Sequence, residues 1–180
     1  TWVVDPSVLQ DARTSEAGAA WADRFAAAST DREVLVLPWG DTDLTALAAA
    51  GDTELTTAAI ERSEAAALPW TYRIAWPAEA LPGLATAAAA VTTGADAVVV
   101  GPGRLPPPAV LTYTPTGRAT VVADGRDVPV LVPDARLSEA LTTGAFRSSE
   151  AATTPALAAQ DLLAELAVVN RERPTTERHL

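Results

Sequence analysis

Seven side chains in this sequence have the types and positions to act on a ligand. Asp5, Asp41, Glu79 and Asp134 each stand shortly after a run of apolar residues, at Trp2-Val3-Val4, Val34 to Leu37, Tyr72 to Trp76 and Val130 to Val132. Arg104 follows Val98-Val99-Val100, and Trp39 and Trp76 sit at two of the same run ends. Carboxylates beside indole rings are the tools of glycoside chemistry. One acid protonates the leaving oxygen, a second serves as nucleophile or base, and aromatic faces stack on sugar rings. Asp5, Asp41, Glu79 and Asp134 are therefore the catalytic candidates, and Trp39, Trp76 and Arg104 the ligand-binding ones.

A plainer use competes for three of the carboxylates. Asp5 precedes Pro6, Asp41 precedes Thr42-Asp43-Leu44, and Asp134 precedes Ala135-Arg136, all places where a helix begins. Asp is among the best N-cap residues, contributing about 1 kcal/mol, and its charge suits a helix N-terminus. Glu79, between Trp76-Pro77 and Leu81-Pro82, has no helix to cap. Arg104 closes Gly101-Pro102-Gly103-Arg104, whose glycines would let an anion approach, although the sequence has neither a dinucleotide nor a phosphate-loop fingerprint. Pro106-Pro107-Pro108 reads as a stiff polyproline step.

These groups share one end only if the apolar runs are parallel strands with helices between them. The pattern supports that. Trp2 to Val4, Val34 to Leu37, Tyr72 to Trp76 and Ala97 to Val100 read as strands; Val34 to Leu37 is apolar on both faces, as a central parallel strand requires. Helices are expected from Ser15 to about Ala28, Thr42 to Ala50 with Gly51 as C-cap, Asp52 or Thr53 to about Ala67, and Leu81 to Thr93. Thr116-Gly117 and Asp124-Gly125 predict two antiparallel hairpin connections within an insertion at 109–133. A short helix from Ala135 to Leu141 follows. A longer one from Pro155 to Val169 then has Leu157, Leu162, Leu166 and Val169 on its buried side. Trp21 and Phe25 fall on one helix face, with Trp21 in the core. The expected fold is a single α/β domain over 1–180, a parallel-strand (β/α) barrel-like arrangement that is incomplete, with an open doubly wound sheet as the alternative. His179-Leu180 looks like the approach to a further strand.

Composition removes much other chemistry. The 180 residues are 48% hydrophobic with a net charge of −10, and the pI is about 4.4. That balance argues against nucleic acid or an anionic membrane surface as partner. There is no cysteine, hence no disulfide, thiolate metal site or Cys nucleophile. There is no lysine, so no Schiff base. His179 is the single histidine, which excludes a His-rich metal centre or a Ser-His-Asp triad within the chain. No cofactor or metal is expected. The longest small-apolar stretch, Leu84 to Val91, is far too short for a membrane span. The absence of methionine leads us to read the chain as a segment of a longer protein.

Trp2-Val3-Val4-Asp5-Pro6-Ser7-Val8-Leu9, the run from Val34 to Gly51 and Ile74-Ala75-Trp76-Pro77-Ala78 resemble, in content and spacing, a family of large actinobacterial envelope proteins of unknown function. Members of that family look like secreted proteins with a C-terminal membrane anchor, encoded near the lipid II flippase. The resemblance implies an extracytoplasmic location, membrane attachment through parts of the parent chain outside this segment, and a cell-wall role by association. More remotely, the same order of motifs is similar to the glycoside hydrolase and polysaccharide deacetylase (β/α) barrel superfamily. The deacetylases hold a metal with an Asp and a His-x-x-x-His pair. One histidine cannot supply that pair, whereas a metal-free carboxylate pair remains permitted.

The expected function is therefore a cell-envelope domain that binds glycan or serves as a scaffold, its partner a wall glycan or an envelope protein. The alternative is a metal-independent glycoside hydrolase-like enzyme working through a carboxylate pair.

Overall fold

The structure, a computed structural model, describes residues 1–66, 68–107, 109–145 and 154–176. Each of the first four α-helices starts from a side-chain cap supplied by Asp or Ser. Strand β1 (Trp2–Val4) runs to Asp5, which caps α1 (Pro6–Ala12), and Ser15 caps α2 (Glu16–Ala28) through the Gly18 amide. After β2 (Val34–Val36), a short 3-10 turn at Trp39–Asp41 leads to α3 (Leu44–Ala50), which Gly51 closes in the left-handed conformation at φ 64°. Asp52 caps α4 (Thr53–Ala65) by accepting from the Leu55 amide. Then come β3 (Ile74–Ala75), α5 (Leu84–Thr92), β4 (Ala97–Val99), the hairpin β5 (Arg118–Ala123) and β6 (Arg126–Leu131), α6 (Ala135–Ala145) and α7 (Pro155–Glu172).

The strands form two sheets. β1 and β2 pair in parallel; a four-stranded sheet runs β3-β4-β6-β5, parallel except at the β5–β6 hairpin. An isolated parallel bridge from Val36 to Arg73 joins them, with the Val36 amide donating to the Tyr72 carbonyl at 2.9 Å. Pro129 lies on β6 beyond the residues that pair with β4, where its missing N–H costs no bond on that side.

The period-two alternation sorts the strand residues onto two faces. Val4, Val34 and Val36 pack with Leu9 and Ala22 of α1 and α2. Ala75, Val98, Val128 and Val130 pack with Leu44 of α3 and with Ala87 and Ala90 of α5. Leu35, Ile74, Ala97 and Val99 point the other way and cluster with Leu37, Tyr72 and Leu131, a set that contains no helix residue. Beside the first cluster, Phe25 gathers Trp2, Trp21 and Trp70 at centroid distances of 5.0, 5.8 and 5.5 Å.

The α/β class with parallel strands is as expected, but the strands do not close into a barrel among the described residues. Several boundaries also differ. Asp124-Gly125 makes a hairpin turn, whereas Thr116-Gly117 only leads into β5, so the expected pair of hairpins is one. β3 stops short of Trp76 because Pro77 has no N–H to extend a ladder. α5 starts three residues later than expected, since Pro82 holds Leu81 out of the helical region and Gly83 becomes the N-cap. On α7 the buried positions are Ala158 and Val169; Leu157 and Leu166 are exposed. Trp21 is 40% exposed, at the rim of the Phe25 cluster rather than inside it. The strand expected near His179-Leu180 lies outside the described residues, as do Pro108 and Ala67.

Candidate binding groove and the carboxylates around it

The sequence candidates divide into separate local arrangements. Asp5 accepts from the Ser7 amide and hydroxyl, both at 2.8 Å, and from the Gly40 amide at 3.0 Å. It thus caps α1 and at the same time fastens the turn that follows β2. Asp134 accepts from the Arg136 and Leu137 amides, both at 2.9 Å, at the start of α6. Capping occupies both carboxylates.

Asp41 is placed differently. The cap of α3 is Asp43, which accepts from the Ala46 amide at 3.0 Å, so Asp41 is released from that role. Gly40 and Asp41 both have positive φ, 65° and 46°, which turns the chain back toward the end of β1. Partial burial raises the Asp41 carboxyl above its ordinary value, and the negative charges of Asp5 and then Asp43 push it further the same way.

Glu79 is exposed on the loop after β3. That loop is fixed by the Gly101 amide, which donates to the Ala80 carbonyl at 2.6 Å. A side chain at Gly101 would lie 2.7 Å from the Ala80 Cβ, so glycine is what allows the loops after β3 and β4 to meet. Arg104 is exposed on the next turn, where its amide bonds the Gly101 carbonyl at 3.1 Å. The loops that carry Glu79 and Arg104 thus meet at Ala80 and Gly101, while Asp5 and Asp41 lie at the ends of β1 and β2. Among the described residues, no group of three or more acidic or His side chains is arranged to hold a metal ion.

The two tryptophan candidates also separate. Trp39 is half-buried, its amide donates to Ser63 Oγ at 2.9 Å, and the Arg62 guanidinium lies 6.0 Å from its ring centroid. One face of Trp39 is therefore taken. Trp76 is 51% exposed and lines a hollow of about 420 Å³ on the sheet face that no helix among the described residues covers. Val3, Leu35, Ile74, Val99 and Leu131 form the floor of that groove, and Tyr72, Glu33 and Arg118 stand along it. Ile74 is only 1% exposed: the strands curl about it on the groove side, where all six contribute to the lining, and α4 residues Thr56, Ala59, Ile60 and Ser63 share with it the lining of a hollow on the other side. Arg118 Nη2 reaches to within 3.9 Å of Glu33 Oε1, linking the start of β5 to the residue before β2.

Glu33, Tyr72 and Arg118 were not among the candidates read from the sequence. The strand parity that places Leu35 and Ile74 on one face was legible, but apolar residues on both faces hid which face the helices would leave open. A second hollow, about 580 Å³, lies beside the first and contains Asp134, Gly103, Leu105 and Pro106. Gly117, Arg118, Val132 and Pro133 line both.

No helix among the described residues is long and apolar enough to cross a membrane. Neither a curated protein nor a solved structure matches the chain. One family model does match, over residues 1–180, and its description is a family of unknown function, DUF6049. With the whole length covered, the chain belongs to the DUF6049 family of unknown function.

Proposed function

We propose that this domain is a non-catalytic binding module of an extracytoplasmic cell-envelope protein, and that it holds wall glycan in the groove on the helix-free face. The observation that carries the reading is Trp76, an indole half open to solvent beside an apolar floor. A pyranose ring presents axial C–H groups to such a face while its hydroxyls bond to polar groups at the rim, here Tyr72, Glu33 and Arg118. The commitment of Asp5 and Asp134 to helix amides supports binding over catalysis. The envelope-protein resemblance supports the location and the class of ligand, and the curl of the strands around Ile74 fits the inner wall of a barrel-like arrangement that is not closed.

Titration with soluble peptidoglycan-strand fragments, followed by Trp fluorescence and by melting temperature, tests this. Binding with a rise in melting temperature is expected, and Trp76→Ala is expected to abolish it while the protein stays folded, since the side chain is half exposed. Equal binding by Trp76→Ala would remove the groove from the reading.

One observation favours a second reading, a metal-independent glycoside hydrolase. Asp41, its carboxyl raised by partial burial and then by the charge of Asp5, forms an acid pair with Asp5. Two neighbouring carboxyl groups, one of them holding its proton more tightly than usual, are the pairing such hydrolysis needs. Release of reducing ends from the same fragments, lost in Asp41→Asn, is the result that would favour it over simple binding.

A further inference from the structure

The two hollows beside Arg118 are lined in common by Gly117, Arg118, Val132 and Pro133. The divide between them is therefore the start of β5 and the residues just after β6, held together where the Val132 amide donates to the Gly117 carbonyl at 2.7 Å. From this continuity we propose that the ligand is a linear oligosaccharide longer than a disaccharide, lying across both hollows, with Arg118 as the residue it crosses. The proposal rests on the glycan reading above and deepens it.

The chemistry of the lining favours sugar over peptide. An extended peptide gains affinity by adding its main chain to an exposed strand edge. The first hollow lies on the face of the sheet and draws side chains from all six strands rather than from one strand edge, while the second runs along β5, the edge strand of its sheet. A ligand that brings its own hydroxyls meets them: Glu33 and Tyr72 beside the first hollow, Thr116, Thr120 and Asp134 in the second, and Arg118 between. The charges alternate along the trough, acid, base, acid, which suits a neutral polyhydroxyl chain and disfavours a polyanion. Arg118 is held to Glu33 only at 3.9 Å, with its side chain 47% exposed, so its fork of donors is free to turn toward a ring oxygen or hydroxyl.

The experiment measures the affinity of the whole chain for β-1,4-linked N-acetylglucosamine oligomers from two to six units, with an extended unstructured peptide as comparison. Affinity is expected to rise roughly tenfold from the dimer to the hexamer, and Arg118→Gln to flatten that rise. Thr120→Trp, which fills the second hollow from an exposed strand position, is expected to bring the hexamer down to the level of the dimer. Dimer and hexamer binding equally in the wild type, with Trp76→Ala abolishing both, would overturn the two-hollow inference and leave the glycan reading standing. Binding of none of the oligomers would overturn both. Peptide bound in preference to sugar would also overturn both, because the trough would then serve a different class of partner.

Discussion

The Gly40 amide donates to Asp5 Oδ1 at 3.0 Å, so the carboxylate that opens α1 also pins the turn after β2. A local cap thereby becomes a tertiary contact, and it brings Asp41 close enough for the two acids to influence one another.

That double role separates two substitutions at Asp5. Asparagine keeps Oδ1 for both amides and caps about as well as aspartate; Asp5→Asn is expected to change stability by less than about 0.5 kcal/mol. Asp5→Ala loses the cap and leaves the Gly40 amide without its partner, at a cost of about 2 kcal/mol. For a chain of this length that lowers the melting temperature by roughly 4–8 °C. Thermal unfolding of the two variants side by side is the check, and equal losses would show that the charge of Asp5, not its hydrogen bonding, matters.

Asp41 gives a prediction in pH. Its carboxyl is raised in the folded protein, so the native state binds the proton more tightly than the unfolded chain does. The resulting stabilisation is complete below the unfolded Asp value, about 3.9, and is lost as pH rises through the raised folded value. At neutral pH the ionised Asp41 is therefore a small liability. Asp41→Asn, which also tolerates a φ of 46°, is expected to raise stability at pH 7 by under about 0.5 kcal/mol, discounted because the group reaches solvent. The gain should shrink as the pH is lowered toward 3. A gain that does not depend on pH would point to backbone relief alone.

Gly101 tests the junction of the loops after β3 and β4. An added Cβ would meet the Ala80 Cβ at 2.7 Å and the Ala80 carbonyl oxygen at 3.0 Å. Overpacking of this kind costs about 1–3 kcal/mol. Gly101→Ala should lie in that range, and adding Ala80→Gly should recover part of the loss but not all, because the carbonyl remains. The non-additivity of the pair in chemical denaturation is the quantity to measure.

Ile74 tests whether the uncovered face is truly packed. Truncation of a buried isoleucine costs about 2–5 kcal/mol, and Ile74→Ala is expected within that range although Ile74 also floors an open groove. A cost under about 1 kcal/mol would mean that the strand curl around it is loose.

Much of the fold was legible because its signals are local. Ser15, Asp52 and Gly51 sit at helix ends for reasons of backbone hydrogen bonding that act within a few residues, and the runs at Val34 and Ala97 are strands whichever neighbours they find. What was not legible depends on partners far away in the chain. Asp43 takes the cap that the sequence pattern pointed to at Asp41, because the turn at Gly40 is pinned by Asp5. Trp39 is covered by Arg62 from α4, and Trp76 is left open, though both indoles stand at strand ends. Leu157 and Leu166 follow the same helical stripe as Val169, yet which stripe is buried depends on what α7 packs against. The same limit hid Glu33 and Arg118, which matter only once the strands curl and bring them within reach of each other.

The isolated bridge between Val36 and Arg73 has a mechanical meaning. It is the one ladder contact between the two sheets among the described residues, reinforced by the packing of Leu35 on Ile74, Ala97 and Val99. The groove runs across it, with Val3 and Leu35 on one bank and Ile74, Val99 and Leu131 on the other. Anything seated there would act as a splint: it would suppress opening along this junction, and slower amide exchange along Val36 and Tyr72 would report that stiffening even if no atom moved.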